Sequence, residues 1–235
     1  MNNLQMFCLT LNQGHLPLIK KLKYIPVGLG DSTFNEKEWI QDCTKKNIAE
    51  KNKYYGEYTF HYWIWKNDTL NFEGWTGFCQ YRKFWKKNFE KFDDNIFDIF
   101  KENLLTDVPE KLDKYESILG EEVFINQFRF SKFIKLNLKK MISEPSLFFN
   151  KKKRNIKFHF NMMHGDGNLD KAISLLDMSE RNDFNSFVNE EVSFNPHNMF
   201  ICKSKKILFS YYESLFPWLE RCEKLFPFEN LKGYG

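Results

Sequence analysis

Long hydrophobic runs and a leader segment are both missing from this sequence. No stretch approaches the ~18 consecutive apolar residues that a membrane-spanning helix needs. The first residues, MNNLQMFCLTLNQ, lack the basic start and long apolar stretch of a secretory signal peptide. We therefore expect a cytoplasmic protein whose contact with the inner membrane, if any, is peripheral.

Cysteine is sparse and unpatterned. The five cysteines are an odd number, scattered along 235 residues without a CxxC pair. This argues against a disulfide framework or a zinc site and favours a reducing compartment. The sequence also lacks a GxSxG elbow, a P-loop and an HExxH motif, which removes the usual signatures of serine hydrolases, P-loop NTPases and zinc proteases.

The net charge is only +4, and the densest basic run is Lys151-Lys152-Lys153-Arg154. Nucleic-acid-binding proteins concentrate basic residues on one face, and the aromatic residues here follow buried helix and strand patterns instead. We therefore expect no nucleic-acid partner. A charge run is usually a solvated loop. The alternative is that this run touches anionic lipid headgroups or an anionic lipid-linked acceptor.

Apolar runs of strand length alternate with segments of helical spacing. Strands are predicted at 4–11, 24–27, 75–79 and 199–202, and a short strand or a pair of strands at 118–126. Helices are predicted at 52–67, within 86–117, and at 128–141, 169–176, 183–189 and 204–225, the last bent or restarted at Pro217. This alternation predicts an α/β fold with a mostly parallel sheet flanked by helices, formed by residues 1–235 as a single domain.

Ligands bind such sheets at the carboxyl ends of the strands, so the residues just after each strand matter most. Gln80-Tyr81-Arg82-Lys83 directly follows the 75–79 strand. Arg82 presents a planar fork of donors and Lys83 a point charge, which suits a pyrophosphate. The alternative is a surface pair that solvates the strand exit. Gly28-Leu29-Gly30-Asp31 follows the 24–27 strand, but a lone GxG is equally typical of a turn.

The segment MHGDGNLD places His164 and Asp166 in a compact polar loop before a predicted helix. Such a loop supplies a carboxylate base, a metal ligand or a helix cap. For Asp170 capping is the favoured interpretation. For His164 and Asp166 together a functional role is favoured, because a helix start does not require a histidine.

A third polar segment, FNPHNMF, leads into the 199–202 strand and contains His197 and Asn198. Their side chains are expected to hydrogen-bond sugar hydroxyls. Ordinary turn chemistry, in which Asn and Pro are common, is the alternative.

Two blocks of residues resemble a bacterial glycosyltransferase family long catalogued only as a domain of unknown function. The first block is Asn47-Ile48, Asn52, Tyr54-Tyr55, Glu57, Tyr62-Trp63 and Trp65-Lys66-Asn67, followed by GFCQYRKFW. The second comprises HGDGNLDKAISLL and FNPHNMFICKSKKILFSYYESLFPWL. The resemblance covers about residues 4 to 235. Ala49 departs from the family pattern, which has Ser there. Relatives continue past the final Gly-Tyr-Gly, so the chain is expected to lack a C-terminal helical segment.

The resemblance implies a GT-A-like, Rossmann-like fold and a glycosyltransferase acting in capsule, lipooligosaccharide or O-antigen assembly. The implied donor is a nucleotide sugar, with galactofuranose from a UDP-sugar a known theme, and the acceptor is a growing glycan or lipid-linked glycan. No organic cofactor is expected.

Donor binding is assigned to Tyr81, Arg82 and Lys83, and Asn52, Tyr55 and Glu57 are expected to bind the donor or to position Arg82. By analogy with the carboxylate-bearing loop of inverting GT-A enzymes, Asp166 is the expected base, with Glu190 or Glu191 in reserve. There is no Asp-x-Asp motif, so Mn²⁺ or Mg²⁺ would have to use His164 and Asp166. The alternative is direct stabilisation of the leaving group by Arg82 and Lys83.

Two other functional classes stay open. One is a non-catalytic module that binds a nucleotide sugar or a glycan, and it would bind nucleotide without turnover. The other is an RNA-associated protein, which would show tight, salt-sensitive RNA binding.

Overall fold

The structure, a computed structural model, describes residues 2–30, 34–35, 37–71, 73–87, 103–127 and 142–226. Contacts divide the chain into two compact units. The first unit comprises residues 1–120 and 197–214, and the second comprises residues 121–196 and 215–235. Each is described by itself below, and the expectation of one domain over residues 1–235 stays a prediction.

The first unit is built on a seven-stranded sheet. Its strands are β1 (Asn2–Thr10), β2 (Ile25–Gly28), β3 (Ile40–Gln41), β4 (Trp75–Gln80), β5 (Asp107–Val108), β6 (Ser117–Leu119) and β9 (Phe200–Cys202). Its helices are α1 (Leu16–Lys21), α2 (Asn52–Tyr55), α3 (Tyr58–Asn67) and the first part of α8 (Lys205–Leu225), with 3-10 turns at Gln13–His15, Ala49–Lys51 and Glu110–Leu112.

The sheet order is β3-β2-β1-β4-β9-β6, with β5 paired to β1. The pairs β1–β2, β1–β4 and β2–β3 are parallel, whereas β5, β6 and β9 pair antiparallel. In the parallel core, Thr10 lies opposite Gly28 and Leu9 opposite Gln80. The carboxyl ends of β1, β2 and β4 therefore meet at one edge, which is where ligands bind sheets of this kind.

Successive side chains of a strand point to opposite sides of the sheet, and in this sheet both sides carry apolar side chains. Met6 and Cys8 of β1 pack in a buried cluster with Ile19 of α1. Phe7, between them in sequence, instead contacts Phe60 of α3, with ring centroids 5.4 Å apart. The sheet is thus covered on both faces, which explains the near-continuous apolar run of its first strand.

The second unit contains a two-stranded antiparallel ribbon, β7 (Val123–Phe124) with β8 (Ser193–Phe194). Its described helices are α4 (Ser146–Phe149), α5 (Ile156–His164), α6 (Asn168–Ser174), α7 (Met178–Glu190) and the second part of α8, with a 3-10 turn at Lys151–Lys153. Leu169, Ile173, Leu176 and Val188 form its buried cluster, against which Trp218 packs.

The predicted mostly parallel α/β architecture is confirmed. The strands predicted at 4–11, 24–27, 75–79 and 199–202 correspond to β1, β2, β4 and β9, and 118–126 resolves into β6 and β7. The helices predicted at 169–176, 183–189 and 204–225 correspond to α6, α7 and α8, the last one helix that contains Pro217. The helix at 128–141, most of the helical segment within 86–117, Asp31 and the final Gly-Tyr-Gly lie outside the described residues.

The single helix predicted over residues 52–67 was wrong, because the chain breaks it at Gly56 into α2 and α3. Gly56 has φ 53° and ψ −132°, in a region of backbone space that essentially only glycine enters. The aromatic periodicity continues through the break, so the pattern did not show it. The break places Glu57 immediately before the first turn of α3.

Two smaller expectations also change in the second unit. Gly167, not Asp170, is the N-cap of α6, and Asp170 instead pairs with Lys157 at 2.6 Å. In the basic run, Lys151, Lys152 and Lys153 are exposed, but Arg154 is buried. Among the described helices, none has the length and apolar character that a membrane span requires.

A buried histidine links α3 to α8 inside the first unit. His61 is fully buried, and its Nδ1 lies 2.6 Å from the hydroxyl of Tyr212. Its ring also lies 4.3 Å from that of Phe78. Burial lowers the pKa of His61 from 6.5 to about 3, because the apolar surroundings disfavour the imidazolium ion.

This histidine makes the protein sensitive to acid. Between pH 6.5 and about pH 3 the unfolded chain binds a proton at His61 that the folded chain does not, so the free energy of unfolding falls as the pH falls. We expect a loss of about 2 kcal/mol between about pH 7 and pH 5 from this group. Urea titrations at both pH values should show it.

The double variant His61→Leu/Tyr212→Phe is the control, because it replaces both polar partners with apolar groups and leaves no orphaned hydroxyl. Its loss of stability over the same interval should be smaller by that amount. An unchanged loss would show that His61 is not the group responsible.

Candidate functional site

A cavity of about 370 Å³ opens at the carboxyl edge of the parallel strands in the first unit. Its walls come from the ends of β1 and β4, from Leu29 after β2, and from Glu57 ahead of α3. The residues that line it are Leu9, Thr10, Leu11, Asn12, His15, Leu29, Glu57, Gln80, Tyr81 and Arg82. Most of the polar groups among them sit where the sheet topology brings several strand ends together.

The turn after β1 supplies one wall. Asn12 caps the following 3-10 turn, because its side-chain oxygen accepts from the amide of Gly14 at 2.8 Å. The hydroxyl of Thr10 lies 2.7 Å from Nδ1 of His15 and also accepts from the amide of Asn12. These contacts fix the His15 ring, which stacks on Tyr81 with centroids 4.1 Å apart.

The turn after β4 supplies the adjoining wall and the positive charge. It is closed by the amide of Lys83, which donates to the carbonyl of Gln80 at 3.1 Å. The guanidinium of Arg82 lies 5.6 Å from the ring centroid of Tyr81, in cation–π range. The side chain of Arg82 is exposed and that of Lys83 half-buried. Within the part of the chain that the structure describes, neither cation is paired with a carboxylate.

Glu57 accepts hydrogen bonds from two separate segments, the end of β4 and the loop before β9. One carboxylate oxygen accepts from Nε2 of Gln80 at 2.5 Å, and the other accepts from Nδ2 of Asn198 at 3.1 Å. An ionised carboxylate only accepts, so it orients both amide groups with their nitrogens inward. The carbonyl oxygens of Gln80 and Asn198 are thereby left to face away from Glu57, where a hydroxyl can donate to them.

A buried hydrogen-bond network holds the turn that carries Glu57. The hydroxyl of Thr59 donates to Asp42 at 2.5 Å, and Nδ2 of Asn52 donates to the same hydroxyl at 3.0 Å and to the carbonyl of Gly56 at 2.9 Å. Asp42 has no exposed surface, and burial raises its pKa from 3.8 to about 6. The network fixes the α2–α3 turn that carries Glu57.

His197 lies beside the turn after β4. Its exposed ring contacts Nζ of Lys83 through Nε2, and Nδ1 lies 3.1 Å from the same Nζ. Partial burial, and then the charge of Lys83, lower the pKa of His197 below its usual 6.5. The backbone of His197 has φ 69°, in the left-handed region that non-glycine residues seldom adopt.

The predicted site residues thus fall into three groups. Glu57, Tyr81 and Arg82 line the cavity. Asn198 contacts Glu57, and Lys83 contacts His197. Asn52 and Tyr55 belong to α2, where the amide of Asn52 bonds within the supporting network. Their assigned roles stay predictions.

His164 and Asp166 belong to the second unit. His164 ends α5, half-buried, and its carbonyl accepts from Asn168 at 2.7 Å, whereas Asp166 is exposed in the following turn. Among the described residues, no group of three or more His, Cys, Asp or Glu side chains is placed to hold a metal ion. Their roles as base and metal ligands stay predictions.

Sequence reasoning gave no role to Thr10, Asn12, His15 or Asp42. Asn12 and His15 follow the first predicted strand, so the rule that selected the residues after β4 would have found them too, whereas Thr10 lies inside the predicted strand 4–11. Asp42 follows β3, a strand of two residues, which is too short to leave a periodic signal.

Three comparisons with known proteins bear on this site. The sequence model of a family described as a domain of unknown function (DUF4422) matches residues 8–234. None of the curated proteins matches the sequence. A solved structure of the WbbM bifunctional glycosyltransferase in its apo form superimposes with a TM-score of 0.63 at 20% sequence identity.

That superposition covers 100% of this chain and 39% of the WbbM chain, so this chain spans well under half the length of its structural neighbour. At this identity the likeness concerns the fold alone, and it confirms the expected GT-A-like α/β architecture.

Glu57→Gln tests the role of this carboxylate. The new amide nitrogen would face an amide donor of Gln80 or Asn198, so one of the two contacts is lost. We expect the free energy of unfolding to fall by about 1.5–3 kcal/mol, the range for hydrogen bonds to charged groups. Chemical denaturation measures this loss, and NMR spectra should show shifted side-chain amide signals of Gln80 and Asn198.

Glu50→Gln is the matched control, because Glu50 is an exposed glutamate in the 3-10 turn before α2. Its effect should stay within about 0.5 kcal/mol. If both variants behave like the parent protein, Glu57 does not hold the two amides in place.

Proposed function

The chain belongs to the DUF4422 family, and from that premise and the geometry above we propose that it is a glycosyltransferase that binds a nucleotide-sugar donor at the carboxyl edge of β1, β2 and β4. The observation that carries the proposal is the cavity at this edge, which Arg82 lines; Lys83 follows Arg82 in sequence, and both are without carboxylate partners among the described residues. The likeness in fold to WbbM, a bifunctional glycosyltransferase, supports it.

Arg82 and Lys83 account for the stabilisation of the leaving group. When a glycosidic donor bond breaks, negative charge grows on the departing diphosphate, and fixed positive groups beside it lower the barrier. Arg82 offers a planar fork of donors that matches phosphate oxygens, and Lys83 adds a point charge. Both stand on one tight turn closed by the Lys83–Gln80 backbone bond, so they are positioned before the donor arrives.

The side-chain amides of Gln80 and Asn198 account for the recognition of sugar hydroxyls. The carbonyl oxygens of Gln80 and Asn198 face away from Glu57, which has engaged their nitrogens. Ribose or hexose hydroxyls can donate to such oxygens. The rings of His15 and Tyr81, which both line the cavity, stack where the turns after β1 and β4 meet, and aromatic rings suit a nucleobase or a sugar face.

For the second half of the reaction, one carboxylate must take the proton of the acceptor hydroxyl. Asp166 is the proposed base, since it is an exposed carboxylate in the turn between α5 and α6, with Glu190 or Glu191 in reserve. A Mn²⁺ or Mg²⁺ ion held by His164 and Asp166 stays part of the proposal, because Mg²⁺ in nucleotide-dependent enzymes takes only one or two protein carboxylates and completes its shell with phosphates and water.

In its finer form the proposal specifies a UDP-sugar donor, with galactofuranose the first sugar to test, and a growing cell-surface or lipid-linked glycan as acceptor. Contact with the inner membrane belongs to the same proposal. It is supported by the exposed side chains of Lys151, Lys152 and Lys153 near the exposed ring of Phe149, a combination that suits an anionic lipid surface.

A thermal-shift screen against nucleotides and nucleotide sugars, with and without Mn²⁺, tests the donor class. A ligand present at 100 times its Kd stabilises the folded state by about 2.7 kcal/mol, which raises Tm measurably. We expect a nucleotide sugar to raise Tm in the parent protein and to do so much less in Arg82→Met. Lys206→Gln, an exposed lysine in the first turn of α8, should respond like the parent. No shift with any nucleotide would contradict the proposal.

Asp166→Asn tests the base. The exposed turn should tolerate this change without loss of Tm, while donor turnover falls by about 10²–10⁴-fold, the usual contribution of a general base. Binding of the donor should be unchanged. Near-normal turnover would remove Asp166 from this role, and binding without turnover in the parent protein would favour a non-catalytic sugar-binding module.

A further inference from the structure

Three basic groups cluster at the side of the cavity. Arg82 and Lys83 stand on the turn after β4, and His197 stands on the loop before β9, with its ring in contact with Nζ of Lys83. The charges that act on His197 come from Lys83, Glu57 and Arg82. Of these, Glu57 is the single acid, and its two oxygens already accept from Gln80 and Asn198.

The contact with Lys83 fits the neutral form of His197. A lysine ammonium only donates, so the ring nitrogen that faces it must offer a lone pair, and the imidazole is neutral. Partial burial and the neighbouring cations lower its pKa, against a smaller opposite effect of Glu57. In the absence of ligand the cluster therefore has two fixed charges and one group that can become a third.

The backbone of His197 stands at φ 69°, in the left-handed region, where Asn, Asp and His are the commonest residues after glycine. The loop is anchored by the next residue, Asn198, whose amide bonds to Glu57 at 3.1 Å.

We infer that Arg82, Lys83 and His197 form one diphosphate site whose third positive charge is acquired on binding, so that the donor and a proton bind together. This inference rests on the proposed function, and it replaces the sequence-based expectation for His197, which then contacts the diphosphate rather than a sugar hydroxyl. The proton passes from solvent to the ring nitrogen of His197 that faces Lys83, and Nζ of Lys83 turns to the phosphate oxygens.

The sign of the pH dependence of donor affinity follows from this proton uptake. A bound dianion raises the pKa of His197, so between the free and bound pKa values the complex holds one more proton than the free protein. Affinity therefore rises as the pH falls through the bound pKa and levels off below the free pKa. A protein with a fixed set of charges at this site would show no such dependence.

The experiment follows the ring signals of His197 by NMR between about pH 5 and pH 8, the range in which histidine titrates. UDP-galactose is the probe, because both of its phosphates stay fully ionised throughout, and sodium sulfate is a second probe without base or sugar. His197→Asn identifies the signals and suits the left-handed backbone. We expect UDP-galactose to raise the pKa of His197, and to bind at least about fivefold tighter at pH 5 than at pH 8.

Two variants sharpen the result. His197→Asn should bind with nearly the same affinity at both pH values, whereas the control Lys206→Gln should keep the full dependence. Lys206 follows β9, whose Cys202 pairs with Thr76 near the start of β4, so it lies toward the other edge of the sheet. Lys83→Met should raise the pKa of His197 in the free protein, because a neighbouring charge is removed.

The outcomes separate this inference from the proposed function. Binding of UDP-galactose with an unmoved His197 pKa overturns the inference and leaves the donor proposal standing. A pKa raised by sulfate, with no binding of UDP-galactose, supports the anion site and counts against a UDP-sugar donor. If neither probe binds, both are overturned.

Discussion

The parallel pairing of β1 with β2 on one side and β4 on the other is the constraint on which the rest of this structure depends. It brings Thr10, Gly28 and Gln80 to the same edge, although they are far apart along the chain. Each strand then ends in a turn with a different chemical character. The turn after β1 is hydroxyl and amide, and the turn after β4 is cationic. A cavity with one polar and one positive wall results directly from this register.

Glu57 holds the polar side chains at that edge in place. It is the one carboxylate among the cavity-lining residues that the structure describes, and it binds amides that lie 23 and 141 positions away in sequence. Its position depends on the helix break at Gly56 and on the network of Asp42, Thr59 and Asn52 beneath it. Removing a negative charge here would therefore disturb geometry as well as electrostatics.

Much of the fold could be predicted from the sequence because its two longest strands, β1 and β4, are apolar runs with clear ends. The strand 75–79 and the basic turn after it were found by this means, and the turn does line the cavity. What could not be predicted lacks a local signal. The break at Gly56 interrupts a helix without interrupting its aromatic pattern, β3 and β5 have two residues each, and the partners of Glu57 meet it through tertiary contacts alone.

The resemblance to glycosyltransferases and the superposition on WbbM agree on the fold, while the chemistry depends on what the edge of the sheet binds. The most direct measurement is a crystal structure of the chain with a bound nucleotide sugar. Our account predicts the diphosphate against the turn Gln80–Lys83, with the remainder of the ligand in the cavity between that turn and the turn after β1. A nucleotide sugar bound elsewhere, with this cavity empty, would contradict it.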